Sequence, residues 1–424
     1  MLSKEIEEYL DSLGMFGWKL GLGRMHEIAS AMGNPELDYQ VIHIAGSNGK
    51  GSTAGILESI FTASGKKVGV YTSPHLISPC ERIRIDGLDV TSSEFESAIR
   101  ELKPIFDANE ATYFEVMTAT AFFIFQRCEV DLAIVETGLG GRLDATNIVS
   151  PDCTIITTIS LEHEAILGDT IAKIAAEKGG IIKPGAPVVF GKLKEEAREV
   201  LTAICRREGS VWLTPHANAK TTHLSQSANS QTFRFEYKGD DYGSVSLPLP
   251  GQRQLENFIT AFGCAKLFMS KPGLKKCIQA GLMKLKTKAR LEIVSHSPPI
   301  LIDVAHNPDS VLVLIEYLQN YYRDRRIFVI AGVLADKDYV TMLSFLKPVI
   351  HELFCVTPKS SRSLPADSLD QAACNLAVES SSFKTLEAAY QHALNVLTSQ
   401  DLLVITGSHY VVGEFLKLYE SKIS

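Results

Sequence analysis

Residues 41–53 read VIHIAGSNGKGST: an apolar β-branched run, a glycine-rich turn, a lysine, then hydroxyl side chains at the head of a helical pattern. That order suits a phosphate cradle. Glycines let backbone N–H groups turn inward, a helix N-terminus adds positive potential, and Lys50 has the reach to meet terminal phosphates. The candidate nucleotide-contacting residues are therefore Asn48, Gly49, Lys50, Gly51, Ser52 and Thr53, with Ser52 or Thr53 offering a hydroxyl to Mg²⁺. Gly51 separates the lysine from the hydroxyls, a departure from the usual G-x-x-x-x-G-K-[ST], and a merely glycine-rich turn is the alternative. Glu136 ends the apolar run 132–136 and so stands beyond a strand, where ligands gather in open parallel sheets. His163 also follows a strand-like run, as a ligand or as a structural hydrogen-bond donor. Ser73 precedes Pro74, a placement that by itself favours a plain turn residue.

The elements that must carry these residues follow from periodicity. Short apolar or β-branched runs at 41–45, 68–71, 132–136, 154–159 and 188–190 read as buried strands, separated mostly by helical patterns, which predicts a largely parallel sheet covered on both faces. Residues 221–242 are polar, alternate in TFRFEY (232–237), and are expected to form an antiparallel hairpin region at one edge. A second alternating series has strand-like runs at 300–304, 327–333, 353–357 and 402–406, with helical patterns at 309–321 and 386–397. The expected class is α/β: an N-terminal P-loop ATPase domain, residues 1–287, with a mostly parallel sheet, and a smaller Rossmann-like domain, residues 288–424, joined between Lys284 and Arg290.

The turn GSNGKGST (46–53) after a strand resembles the ATP loop of the Mur ligase superfamily. Further segments resemble its folate branch: YTSPHL (71–76) with ERIR (81–84), ETGLGGRLDATN (136–147), EKGGIIKP (177–184), QLEN (254–257) and DVAHNP (303–308). The similarity runs through nearly the whole chain and is to the folylpolyglutamate synthase/dihydrofolate synthase family, of the bacterial bifunctional type. The resemblance implies an ATP-dependent amide ligase that adds L-glutamate to tetrahydrofolate and to 7,8-dihydropteroate through an acyl phosphate. Chain extension alone is the narrower version.

The resemblance also implies roles. Ser73, Glu136 and His163 take the metal-ligand positions, and Lys178 the position of a lysine commonly carbamylated to help hold a second Mg²⁺. Lys50, Glu136, His163 and Lys178 are the implied catalytic set, and Asn257, Arg290 and Asp303 implied nucleotide contacts, with His306 a further candidate near the nucleotide or the glutamate. Three segments correspond to dihydropteroate-contacting regions: Leu20, Gly21 and Leu22; Thr112, Tyr113, Phe114 and Glu115; and Leu143, Asp144 and Ala145. Tyr113 and Phe114 could stack on a flat ring, although core packing suits Phe114 equally, and Asp144 could accept from ring nitrogens. The chain departs from the family at Glu162, usually aspartate, at Gly179, usually alanine, and at Ala289, often glycine.

Composition narrows the alternatives. Formal net charge is −7 over 424 residues, which argues against general nucleic-acid or membrane-surface binding while leaving room for a local basic cleft. Eight cysteines, at 80, 128, 153, 205, 264, 277, 355 and 374, are scattered without a C-x-x-C pair, as in a reducing compartment. Charged residues fill the start of the chain and no run reaches about 18 apolar residues, so a cytoplasmic protein is expected, acting as a monomer on small molecules. A ligase for nucleotide-linked muramoyl peptides would carry an extra N-terminal domain, and the phosphate loop here begins too early for one. A non-enzymatic ATP switch explains the loop and leaves Glu136, His163, Lys178 and Arg290 without a purpose.

Overall fold

The computed structural model describes residues 2–14 and 21–423. Among these, the first sheet comprises β1 (Gln40–Ala45), β2 (Val68–Tyr71), β3 (Ile83–Ile85), β4 (Leu88–Asp89), β5 (Leu132–Glu136), β6 (Cys153–Ile156), β7 (Val188–Phe190) and β8 (Trp212–Leu213). Their order is β4-β3-β2-β5-β1-β6-β7-β8. The strands from β2 through β8 in that order are parallel, and β3 and β4 extend the sheet antiparallel. The apolar runs become the parallel strands because a sheet covered on both faces has no solvent side for polar alternation; β2, β5, β6 and β7 are buried along their length. The short strands β3, β4 and β8 lack such a run and were not expected from the sequence.

This order places the chemistry. β1 lies between β5 and β6, and the chain leaves β1 for β2 on one side before returning to β6 on the other. Such a reversal opens a crevice beyond the carboxyl ends of the strands. Register aligns Ile44 with Glu136 and Ala45 with Ile156, so the phosphate turn, Glu136 and the segment after β6 emerge at one level. The helix Lys50–Ala63 carries the turn into the fold and packs closely on the helix Lys271–Leu282.

Residues 221–242, expected at a sheet edge, belong instead to a separate sheet of β9 (Ala219–Gln226), β10 (Gln231–Tyr237) and β11 (Asp240–Leu247), in the order β11-β10-β9. The inward aromatics explain the difference: Phe235 lies 5.2 Å from Phe258 and 4.7 Å from Phe262, so β10 covers the helix Gln252–Phe268 rather than an exposed strand. Lys238 and Gly239, with φ of 51° and 81°, make the two-residue turn that a tight hairpin demands.

The second series forms β12 (Glu292–His296), β13 (Pro299–Ile302), β14 (Ile327–Ala331), β15 (Glu352–Val356), β16 (Ser380–Phe383) and β17 (Leu402–Thr406), ordered β12-β13-β17-β14-β15-β16. All run parallel except the hairpin partner β12. Leu301, Val329, Leu353 and Val404 from the strands and Leu314 and Leu318 from the helix Pro308–Tyr321 build its core. The chain packs as two compact units: one runs to Thr222 and adds Arg234–Ser246 and Gln254–Lys286, the other comprises His223–Phe233, Leu247–Arg253 and the chain from Thr287. Residues 223–233 and 247–253, which the sequence division left with the first domain, thus pack with the second unit. No helix among the described residues is long and apolar enough to cross a membrane.

A Cβ on Gly281 would lie 2.2 Å from the Ser59 carbonyl oxygen, so the two helices touch through backbone that cannot yield. Gly281→Ala is expected to destabilise the fold by about 1–3 kcal/mol, the usual cost of overpacking, measured by denaturant unfolding against the wild type.

Candidate active site

The phosphate turn is tied to the segment after β6. Ser47 N–H donates to Thr158 O at 2.8 Å and Asn48 N–H to Thr158 Oγ1 at 3.0 Å, while the Thr157 hydroxyl donates to Asn48 O at 2.8 Å. Ser47 Oγ in turn accepts from Ser160 N–H at 3.0 Å. Two glycines are sterically required. A Cβ on Gly46 would meet Thr157 Oγ1 at 1.9 Å, and one on Gly49, where φ is +87°, would meet Asn257 Oδ1 at 2.4 Å. Asn257, on the helix Gln252–Phe268, therefore lies directly against the turn. The backbone N–H groups at the start of the helix Lys50–Ala63 have no carbonyl four residues back inside the helix, which equips them for anions.

Four charged side chains meet beneath this turn. Lys50 Nζ donates to Gly46 O at 2.9 Å, and Lys178 Nζ donates to the same oxygen at 3.1 Å. Lys50 lies 3.8 Å from Glu136 Oε1, and Lys178 pairs with Glu162 Oε1 at 2.8 Å. Burial lowers the Lys178 amine below its ordinary range, Glu162 opposes that, and Lys50 adds to it. Burial works to raise the Glu162 carboxyl, but Lys178 and Lys50 outweigh it and hold the group well below the carboxylate range. Glu162 entered the sequence reading only as a departure from aspartate, and here it is the partner of Lys178.

The remaining implied metal ligands stand at the same end of the sheet. Tyr71 is in register with Val135, so Ser73, two residues beyond β2, emerges one strand over from Glu136. His163 follows β6 and starts the single turn Glu164–Leu167 with a left-handed backbone, φ 48° and ψ 39°. Among the described residues no three His, Cys, Asp or Glu side chains gather as a metal site. The candidate donors, the Glu136 carboxylate, the hydroxyls and the His163 imidazole, are mostly hard oxygen, which fits an ion that keeps water and phosphate oxygens in its other positions.

The substrate candidates divide by what they already touch. Leu20 lies outside the described residues. Gly21 has φ +132°, and Leu22 precedes the helix Gly23–Ala31. Thr112 and Glu115 form a capping box at the start of the helix Tyr113–Arg127, and Glu115 also pairs with Arg24 at 3.1 Å. Tyr113 is buried with Arg82 over its ring at 5.5 Å. Phe114 is only partly buried and presses on Gly138, where a Cβ would come within 2.3 Å of its Cζ. Leu143 is partly buried and Ala145 buried on either side of Asp144. Both Asp144 oxygens serve the loop: Oδ2 accepts from Gly138 and Leu139 N–H at 2.9 and 2.8 Å, and Oδ1 from Thr146 N–H at 3.1 Å and its hydroxyl at 2.5 Å. Asp144 thus clamps the turn after Glu136, where the sequence reading had it receiving ring nitrogens.

In the second unit, Asp303 follows β13 and accepts from Leu291 N–H and Ala305 N–H, both at 2.9 Å. Burial raises its carboxyl, while Arg290 and these N–H groups oppose the rise. Arg290 is flanked by Ala289 and Leu291, both left-handed with φ of 54° and 51°; alanine at 289 occupies backbone that glycine adopts without a Cβ penalty. His306 is turned to its own backbone, Nδ1 lying 2.8 Å from Val304 O.

Comparison with known proteins agrees with this architecture. The Mur ligase middle domain matches residues 44–265, and the Mur ligase glutamate ligase domain matches residues 289–409. The dihydrofolate synthase/folylpolyglutamate synthase of Bacillus subtilis (strain 168) is 32% identical over 414 residues, covering 95% of either chain. A Mycobacterium tuberculosis folylpolyglutamate synthase complexed with ADP superposes with a TM-score of 0.91 at 30% identity, covering 98% of this chain and 97% of that one. E. coli FolC in complex with DHPP and ADP gives 0.86 at 29% identity, covering 99% and 98%. With both ligase domains matched and the similarity running end to end, the chain belongs to the dihydrofolate synthase/folylpolyglutamate synthase family of ATP-dependent Mur ligases.

Proposed function

We propose that this chain spends ATP, with Mg²⁺, to join the α-amino group of L-glutamate to the carboxylate of tetrahydrofolate and of 7,8-dihydropteroate. The observation that carries the reading is the convergence of Lys50 and Lys178 on Gly46 O, each beside a carboxylate, under a helix N-terminus. Relatives of the same length supply the substrate class, since their names are those of dihydrofolate and folylpolyglutamate synthases and one is held with DHPP and ADP.

In the first step a substrate carboxylate oxygen attacks the γ-phosphorus of ATP and ADP leaves. Within the turn from Asn48 to Thr53, the backbone N–H groups from Gly49 to Ser52 hold the phosphates, since those of Asn48 and Thr53 already donate to Thr158 Oγ1 and Gly49 O, and Lys50 neutralises charge on the oxygens in flight; catalysis here is positioning plus charge stabilisation. Asn257, against Gly49, fixes the turn's path on the nucleotide side. Ser73, Glu136 and His163 would hold Mg²⁺, which when bound screens the converging negative oxygens. In the second step the glutamate amine attacks the acyl carbon, inorganic phosphate departs, and the amine loses its proton. Arg290 and Asp303 are read as further nucleotide contacts.

Lys178 is assigned a carbamate. Its amine, made less basic by burial, adds to CO₂ and loses a proton, giving an anion where the ammonium stood. Glu162 then faces that anion at close range, and the combination of Glu136, Glu162 and the carbamate supplies the charge a second divalent ion would need. The chain is further read as a cytoplasmic monomer, its thiols unpaired, including Cys153 and Cys264 with sulfurs 3.6 Å apart.

Phosphate release from ATP and Mg²⁺ is expected with dihydropteroate plus glutamate and with tetrahydrofolate plus glutamate, and to fall to background when any component is omitted, with products identified by mass. Stimulation by tetrahydrofolate alone restricts the enzyme to chain extension, and stimulation by neither overturns the substrate assignment. Lys50→Ala and Glu136→Ala should each lower kcat by at least about a hundredfold, as loss of a charge-stabilising group does, with the unfolding transition retained; near-wild-type ligation removes that residue from the mechanism. Equilibration with ¹³C-bicarbonate near neutral pH should give a carbamate carbon resonance in the wild type that Lys178→Ala lacks, and a wild-type spectrum without it means Lys178 works as an ammonium.

A further inference from the structure

Behind the clamp made by Asp144 lies a buried polar chain that the reaction as described does not use. His43, in the middle of β1, is fully buried, and its Nε2 lies 2.8 Å from Thr146 Oγ1. Thr146 is also fully buried, and its hydroxyl lies 2.5 Å from Asp144 Oδ1. We propose that His43 is a positioning residue for the pteroyl substrate, acting through Thr146 and Asp144 to hold the turn 138–145. The proposal rests on the reading of Leu143, Asp144 and Ala145 as part of the substrate wall.

The hydrogen-bond directions follow from counting protons. A threonine hydroxyl has one hydrogen, and a carboxylate can only accept, so Thr146 gives its proton to Asp144. Its oxygen must then accept from His43, which makes His43 the neutral tautomer with the hydrogen on Nε2. Nδ1 is buried with no hydrogen-bond partner among the described residues, as suits a bare lone pair better than a stranded N–H donor. Burial, and then the nearby Lys183, push the imidazole down to about 3, so it stays neutral under working conditions. Lys183 itself donates to Asn147 O at 3.0 Å, one residue along the same turn.

Each donor in the chain has a purpose at the far end. Burial raises the Asp144 carboxyl above its ordinary range, and the bonds from Thr146, Leu139 and Gly138 offset only part of that rise. A hydroxyl that itself accepts a hydrogen bond is a stronger donor, since such chains polarise cooperatively. His43 therefore strengthens the grip of Asp144 on Gly138 and Leu139, and Gly138 is the surface against which Phe114 rests. The chain runs from the floor of the sheet to the turn that carries the substrate wall, and none of the hydrogen bonds of His43, Thr146 and Asp144 described here goes to the phosphate turn.

The test separates positioning from bulk stability. Thr146→Val keeps the shape and removes the hydroxyl; it should raise KM for dihydropteroate and tetrahydrofolate about tenfold, the worth of one buried hydrogen bond, and alter KM for ATP by less than about twofold. Thr146→Ser should restore the wild-type KM values, and His43→Gln, which retains a donor, should be milder than His43→Leu. Proton–nitrogen NMR of the histidines should show, among the rings, a neutral one protonated on Nε2 that vanishes in His43→Gln and shifts in Thr146→Val. A ring protonated on Nδ1, an unchanged pteroyl KM in Thr146→Val, or equal losses for ATP and pteroyl substrates tracking a lower Tm would each overturn the proposal. If the wild type turns over neither pteroyl substrate, the substrate reading has failed, and the tautomer measurement decides the chain of bonds by itself.

Discussion

Two lysine amines donate to one carbonyl oxygen, that of Gly46, and much of the site is arranged around that fact. A single carbonyl cannot balance two ammonium groups brought out of water, so each also has a carboxylate, Glu136 for Lys50 and Glu162 for Lys178. With Lys178 as an unmodified ammonium the arrangement is close to neutral. In the proposed reaction, phosphates entering above the turn compete with Glu136 for Lys50, which frees that carboxylate for a cation. The sheet exists, for this purpose, to bring β1, β5 and β6 to a common end, because the register of those strands sets the spacing of the charges.

Beside that cluster the same sheet supports a polar arrangement of a different kind. The loop from Glu136 to Asn147 is folded on Asp144, whose two oxygens collect four donors. Glu136, the first residue of that loop, is itself one of the four clustered charges, so the clamp and the cluster adjoin. In the proposed reaction the cluster alters its partners during phosphoryl transfer, while the clamp keeps its shape so that a flat ring meets the same wall each time.

Much of this was legible from residue order. The five apolar runs of the first half each became a parallel strand, and the P-loop spacing placed Lys50 beneath its own turn. What could not be read was whatever depends on pairing across distance. β3, β4 and β8 are too short to carry a period, and the hairpin region went to the wrong neighbour because alternation in residues 232–237 reveals a buried face without saying what buries it. Asp144 illustrates the same limit: its type and motif suggested an acceptor for a ligand, but only the folded loop shows that its own backbone had claimed both oxygens. Glu162 and Thr146 were hidden for the converse reason, since each matters through a partner 16 residues or more away in one case and on another strand in the other.

The contact between Gly281 and the backbone at Ser59 has an implication for how such a protein drifts through sequence space. The crowding atom at position 59 is a carbonyl oxygen, which every amino acid possesses, so the side chain there is free to vary. Position 281 has no such latitude, because any substituent adds the atom that does not fit. A comparison of diverged copies would accordingly find one immutable site facing a permissive one. Pairwise covariation would miss the contact entirely, even though it braces the helix that presents the phosphate turn.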